Sequence, residues 1–228
     1  MSAKLSKQEL KGPDIFQSTV ERIGDYISEH QTRFYVIVTS IVVAVAIAFG
    51  IYLYWNNYQT SAAEIYAKAQ ENMTRTAQAR SPEMAKESIK MYKELIDKYP
   101  SSWSAQMARY HLGNIYYHTG EIDNAISSYK DFVSKAHSDD TGIKFLALTS
   151  LGYCFEVKKD IKGALSYFEE AQKAGNVGFE AIGYRNIARI YEQLNDNKKA
   201  LENYQKALLL TTDPSMMIFI KRKISSLS

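Results

Sequence analysis

The sequence contains few of the residues that cross-link small exported domains or interrupt helices. Its single cysteine, Cys154, excludes an intramolecular disulfide bond, and no apolar leader ends in a cysteine, as a lipoprotein would require. Only 4 prolines and 11 glycines occur among 228 residues, whereas tyrosine reaches 17. This composition favours helices packed through aromatic side chains and gives no indication of a sheet. We therefore predict an all-α protein held by its hydrophobic core alone.

A strong net charge and the motifs of common enzymes are also missing. Lys+Arg 28 against Asp+Glu 25 leaves a net charge of +3, which is too small to indicate a nucleic-acid partner. The sequence has no glycine-rich phosphate loop and no Ser-His-Asp signature. His111 and His118 lie about two helical turns apart, too far for two ligands of one zinc ion. Cys154, beside Phe155 in an apolar stretch, is expected in the core. We predict no catalysis, no metal and no cofactor.

The longest apolar run, from Phe34 to Tyr54, contains no charged residue and no proline. As a helix it would span roughly 30 Å, which is the thickness of the hydrocarbon core of a bilayer. Aromatic residues, which favour the headgroup layer, flank both ends. We predict a transmembrane helix at 34–55. A cleavable signal peptide is the alternative, because Ala44-Val45-Ala46 has cleavage spacing, but the apolar run continues past that site and the region before it is long.

The distribution of basic residues predicts the orientation of this helix. Between Tyr54 and Thr74 the only basic residue is Lys68, whereas five precede the span: Lys4, Lys7, Lys11, Arg22 and Arg33. The positive-inside rule therefore leaves residues 1–33 in the cytoplasm and exports residues 56–228. The expected location is a bacterial inner membrane, crossed once, with the C-terminal domain in the periplasm.

The cytoplasmic tail contains one amphipathic pattern. Phe16, Val20, Ile23 and Ile27 recur at helical spacing, and Asp14 is a suitable N-cap. The opposite face is net acidic, which argues against docking on anionic lipid. The segment is either a short helix that leads into the span or a site for a partner protein.

Beyond the span the sequence repeats one pattern three times. A Leu or Ile is followed by Gly or Ala and then by an aromatic residue, at Leu112-Gly113-Tyr116, Leu151-Gly152-Phe155 and Ile187-Ala188-Tyr191. An alanine and a second aromatic residue follow, at Ala125 and Tyr129, Ala164 and Phe168, and Ala200 and Tyr204. The pattern resembles the tetratricopeptide repeat, a helix-turn-helix unit of about 34 residues. Such units stack into an α-solenoid, in which small residues allow the paired helices to approach closely.

We place four repeats at about 69–102, 106–139, 145–178 and 181–214. The turns within repeats contain Gly120, Asp160 and Asn195-Asp196, and the loops between repeats lie at Ser138–Gly142 and Gly175–Gly178. The first repeat lacks the Leu-Gly pair, because Arg75 and Thr76 stand there, so its first half is predicted to be a long helix that continues from the membrane.

A capping helix at 215–228 closes the predicted solenoid. Its inner face would carry Met217, Ile220, Ile224 and Leu227, and its outer side Lys221, Arg222 and Lys223. Without such a helix the last repeat would leave an apolar face in water.

The inner face of the first helix of each repeat is the candidate partner-binding surface. A protein or an extended peptide would bind there, because tyrosines combined with a basic pair suit such a ligand. The alternative is that Tyr117 and Tyr153 only pack between helices. The carboxylate clamp of chaperone-binding repeats is disfavoured, since only Asn114 matches it. The predicted surface comprises Tyr110, Asn114, Tyr117, His118, Thr149, Tyr153, Glu156, Arg185, Arg189 and Glu192.

The whole arrangement resembles the YfgM family of bacterial inner-membrane proteins. Two further stretches carry the resemblance: Tyr54-Trp55-Asn56 leading into Ser61-Ala62-Ala63, and Met216-Met217 through Ile224-Ser225-Ser226-Leu227-Ser228. The resemblance implies a periplasmic adaptor, tethered beside the SecYEG translocon, that works with chaperones on emerging polypeptides. The alternative is an envelope protein of cell division or outer-membrane biogenesis that uses the same surface.

Overall fold

The computed structural model describes residues 15–79, 82–136, 142–174 and 178–227. The predicted N-cap Asp14 and most of both predicted inter-repeat loops lie outside these ranges. The chain divides into two compact units, Met1–Asn57 and Tyr58–Ser228.

Every regular element among the described residues is an α-helix, which confirms the all-helical solenoid. The helices are α1 (Ile15–Glu29), α2 (Gln31–Ala79), α3 (Pro82–Lys98), α4 (Trp103–Thr119), α5 (Ile122–Lys135), α6 (Ile143–Val157), α7 (Ile161–Lys173), α8 (Glu180–Gln193), α9 (Asn197–Leu210) and α10 (Pro214–Leu227). Consecutive helices from α3 to α10 pack against one another.

The first unit contains α1 and the apolar start of α2. Backbone hydrogen bonds from His30 N to Tyr26 O (3.1 Å) and from Phe34 N to His30 O (3.0 Å) join the two helices. The most apolar 18-residue window of α2, within Gln31–Arg75, has a mean hydropathy of 2.7, and none of it is buried. Val20, Ile23 and Tyr26 of α1 are exposed as well. By length and composition α2 is a candidate membrane span.

Glycine allows the two helices of a repeat to come into contact. A Cβ atom on Gly113 of α4 would lie 2.5 Å from a ring carbon of Tyr129 on α5, and one on Gly152 of α6 would lie 2.6 Å from the ring of Phe168 on α7. Any larger side chain would push these buried rings away. The predicted role of the small residues is therefore confirmed for the first two regular repeats.

The turns within the three regular repeats all use the left-handed backbone region. Gly120 has φ 82°, Lys159 φ 61° and Asn195 φ 59°, and this region suits Gly and Asn best. Asp160 and Asp196 then cap the next helices, accepting hydrogen bonds from the backbone N–H groups of the residues three further on. These turns lie where the sequence predicted them.

The second half of α2 serves as the first helix of the degenerate repeat. Helix α2 continues from the apolar run to Ala79 with no loop in between, as the sequence predicted. Ala69 is fully buried, and its carbonyl oxygen accepts a hydrogen bond (3.3 Å) from the hydroxyl of Ser88 on α3. Small residues again permit this approach.

The capping helix α10 packs its inner face against α9, with Ile220 fully buried. Its outer side differs from the prediction at Lys223. The Lys223 ammonium is 3.0 Å from the Glu192 carboxylate on α8, so this basic side chain fixes the cap and does not lie on the outer side. Ile218, at 63% exposure, faces outward instead.

A buried arginine makes the stability of the repeat domain depend on pH. The Arg109 guanidinium is 4% exposed, and its Nε donates to Asp131 at 2.6 Å. Burial tends to raise the pKa of Asp131, but hydrogen bonds from Lys135 and Arg109 outweigh burial and lower that pKa below 3.8. The pKa of Asp131 is therefore lower in the folded protein than in the unfolded chain. The ion pair stabilises the fold fully at pH values above the unfolded pKa, and this stabilisation is lost as the pH falls through the folded pKa.

We expect Asp131→Asn to lower the free energy of unfolding by about 1–2 kcal/mol at pH 7, a value reduced for the partial exposure of the carboxylate. The difference from wild type should shrink as Asp131 is protonated below about pH 4. Denaturant unfolding at pH 7 and pH 3 tests this. The control is Asp123→Asn, because Asp123 pairs with Lys158 while 84% exposed. A pH-independent difference at Asp131 would contradict the assignment.

Candidate partner-binding surface

The structure distributes the ten predicted residues over three helices. Tyr110, Asn114, Tyr117 and His118 lie on α4, Thr149, Tyr153 and Glu156 on α6, and Arg185, Arg189 and Glu192 on α8. The structure brings four of these residues together across the three helices: Tyr117, Tyr153, Glu156 and Arg189. Burial is the main cause of the raised pKa of Tyr117, and the Glu156 charge and the Arg189 charge act on it in opposite directions.

Arg189 is already engaged by a partner from the preceding repeat. Its two terminal nitrogens donate to the two carboxylate oxygens of Glu156, one of them at 2.6 Å. The hydrogen bond to Glu156 raises the pKa of Arg189. The guanidinium carbon also lies 5.8 Å from the ring centre of Tyr153, which places the cation over the ring. Arg189 therefore ties α8 to α6, and its charge is largely neutralised.

Arg185 keeps its charge more available. Its Nη2 donates to Oδ1 of the buried Asn186 at 3.2 Å, and the Tyr153 hydroxyl donates to the same oxygen at 3.2 Å. No carboxylate forms an ion pair with Arg185 within the described residues. Of the predicted basic pair, Arg185 is thus the cation that an acidic ligand could reach without breaking an internal ion pair.

Glu192 and Thr149 have internal positions. Glu192 accepts hydrogen bonds from the Tyr204 hydroxyl (2.8 Å) and from Lys223 (3.0 Å), which links α8 to α9 and α10. Thr149 is 6% exposed, and its hydroxyl has no hydrogen-bond partner in the described part of the chain. Neither side chain is an open contact for a partner.

The α4 residues divide between packing and exposure. The Tyr110 ring packs on Tyr129 and Phe132, and Oδ1 of Asn114 accepts a hydrogen bond from the Tyr129 hydroxyl at 2.7 Å. Burial raises the pKa of Tyr110. His118, by contrast, is exposed. Whether Tyr117 and Tyr153 also bind a ligand stays a prediction.

Two polar residues in the same helices were not predicted from the sequence. Asn186, beside Arg185, joins Tyr153 to Arg185 as described above. His111, weighed only as a metal ligand, instead lies with its Nε2 2.8 Å from the Tyr66 hydroxyl and 2.9 Å from Gln70 Nε2. Burial lowers the pKa of His111. Both residues directly precede the Leu-Gly or Ile-Ala pair of their repeat, which is the sequence feature that could have located them.

The structure also places the cysteine and the other residues considered as metal ligands or nucleophiles. Cys154 is fully buried, as predicted for a core residue, and burial raises the pKa of its thiol to about 11. Among the described residues, no three His, Cys, Asp or Glu side chains form a group that could hold a metal ion.

Comparisons with known proteins support the assignment of the tetratricopeptide-repeat fold. The sequence profile of the family described as tetratricopeptide repeat-like domain matches residues 32–228. A comparison with curated proteins finds no significant match. Among solved structures, two crystal structures of MamA are 21% and 19% identical, with TM-scores of 0.53 and 0.56. They cover 66% and 72% of this chain, and 80% and 81% of MamA. The Pseudomonas aeruginosa pilF protein is 17% identical over 73% of this chain and 69% of its own, with a TM-score of 0.54.

The fold defines a repeat-type interaction scaffold, a class that is typically non-catalytic and binds proteins or peptides. The chain belongs to the tetratricopeptide repeat-like domain family, because the family profile covers most of its length. At these identities the solved structures share the fold alone.

Proposed function

We propose that this protein is a membrane-anchored interaction scaffold. It would act as an adaptor beside the Sec translocon and work with chaperones on exported polypeptides. The observation that carries the proposal is the single continuous helix α2, which contains both the exposed apolar run and the first helix of the repeat domain. In this proposal one helix contributes both the membrane span and the start of the protein-binding fold.

Anchoring supports an adaptor role on physical grounds. A membrane tether confines the repeat domain to a thin layer and raises its effective concentration near other membrane proteins. Weak binding through a small surface is then sufficient for capture. The resemblance to the YfgM family, carried by the residues around Trp55 and at the C-terminus, favours the translocon and periplasmic chaperones among such neighbours.

In-cell crosslinking of the full-length protein, followed by detergent extraction, affinity capture and mass spectrometry, tests the partners. Recovery of translocon subunits or a membrane-anchored chaperone is the expected result. Recovery of cell-division or outer-membrane assembly proteins in their place would contradict the adaptor role and support an envelope assembly function on the same surface.

Arg185, for which the described residues provide no ion-pair partner, allows a test of the surface itself. We expect Arg185→Glu to weaken partner capture about tenfold, because it replaces a reachable cation by an anion next to Tyr153. The helical circular-dichroism spectrum should be unchanged. Arg222→Glu is the matched control, since Arg222 is exposed on α10. Equal capture by both variants would contradict the site.

Arg189→Glu is not an equivalent variant. It would place two carboxylates against each other at Glu156 and remove the contact between α6 and α8. A loss of capture in that variant would therefore combine lower stability with a lost binding group.

A further inference from the structure

A cavity lies beside the degenerate first repeat. A space of about 250 Å³ lies between α2, α3 and α4, with apolar walls formed by Met73, Ala85 and Ile115. In the regular repeats large aromatic rings pack against the small residues, as Tyr129 does on Gly113. In the degenerate repeat the Leu-Gly pair is missing from α2, and the small Ala85 of α3 lines the cavity.

The cavity is neutral. None of the described residues that line it is Asp, Glu, Lys or Arg. Its polar wall is formed by Gln70 and His111, whose side chains are hydrogen-bonded to each other and to Tyr66. Because burial lowers the pKa of His111, this wall stays uncharged at neutral pH. A charged group placed inside would lose its hydration without a counter-charge.

The size and position of the cavity indicate its occupant. A volume of about 250 Å³ is below the range of roughly 300–1,000 Å³ typical of small-molecule sites, so it suits one long side chain. Asn114 and His118, two residues of the predicted partner-binding surface, also line it. The cavity is therefore continuous with that surface. Met73 is flexible and can adapt to side chains of different shape.

We propose that this cavity holds one apolar side chain, a leucine, methionine or phenylalanine, presented by an extended polypeptide bound across α4. The proposal rests on the proposed function, because it names what the adaptor captures: an exposed apolar residue of a chain that has not folded. The specificity is for an apolar side chain in an unfolded segment, and a folded protein that has buried such residues is not a ligand.

The test uses the full-length protein in nanodiscs and reduced, carboxymethylated α-lactalbumin as a permanently unfolded probe. Ala85→Leu fills the cavity from its wall and is expected to weaken binding about tenfold, the loss of one buried apolar side chain. Ala67→Leu, on the exposed face of α2, is the matched control and should bind as wild type does. Disulfide-intact α-lactalbumin should not bind.

A second measurement avoids any change to the cavity. The ¹³C-methyl resonance of Met73 in the wild-type protein should shift when the unfolded probe is added. If the probe binds without a Met73 shift, or binds both leucine variants equally well, the cavity does not hold a side chain of the probe. The proposed scaffold function would be unaffected by that result. If the wild-type protein does not bind the probe, it does not capture unfolded chains, and the proposed occupant of the cavity is wrong as well.

Discussion

Lysine at both Val42 and Val45 is expected to release the protein from membranes. Both side chains lie near the middle of the apolar run and are exposed, at 61% and 63%. Each lysine at the centre of a spanning helix costs about 3 kcal/mol, so the pair opposes insertion by about 6 kcal/mol. Carbonate extraction of isolated membranes should find wild type in the pellet and the double variant in the supernatant.

The control for this change lies further along the same helix. Ala63→Lys with Ala67→Lys introduces the same charges at exposed positions of α2 outside the apolar run, and this variant should remain in the pellet. If the Val42 and Val45 double variant also resisted extraction, the membrane span would be wrong. A wild-type protein shortened to a fragment that begins after Ala46 would indicate a cleaved signal peptide.

Gly152→Val is expected to lower the free energy of unfolding of the repeat domain by about 3 kcal/mol. The new Cβ would lie 2.6 Å from the ring of Phe168, which is 1% exposed and cannot move into solvent without opening the core. Overpacking of this kind costs about 1–3 kcal/mol, and the upper end is expected because the buried Phe168 ring has little room to move aside. The midpoint of thermal unfolding should fall by roughly 6–12 °C.

Aromatic circular dichroism of the full-length protein in detergent micelles measures that midpoint. Gly24→Val, in α1, is the control, because a Cβ there meets nothing within 4 Å. Because Gly24 lies in the first unit, this variant should leave the midpoint of the repeat domain unchanged. Equal midpoints would contradict the close approach of α6 and α7.

Part of the predicted binding surface already forms contacts between helices of the repeat domain itself. Ion pairs connect α8 to two non-adjacent helices: Arg189 pairs with Glu156 of α6, and Glu192 pairs with Lys223 of α10. We therefore expect binding energy at this predicted surface to come chiefly from groups outside these ion pairs, namely Arg185 and the proposed cavity beside His118. Partner binding and solenoid stability are expected to be coupled wherever a ligand competes for an ion pair.

The sequence by itself determined the features that depend on local or periodic patterns. The helix-turn-helix units, the turns at Gly120, Asp160 and Asn195-Asp196, and the long uninterrupted α2 were all predicted. Each depends on the conformational preference of one residue or on a spacing that recurs along the chain. Such features can be read from a few neighbouring residues or from the recurring spacing itself.

Only the tertiary structure decided how side chains from different repeats pair. The sequence marked Arg185 and Arg189 as equivalent, but Glu156, 33 positions before Arg189, engages only the latter. Lys223 likewise turned inward to Glu192, and His111 met Tyr66 and Gln70. These pairings depend on the rotation of each helix about its axis and on the offset between stacked repeats. A periodic pattern defines which face of a helix is buried, but the contacts across that face arise only when the helices are assembled.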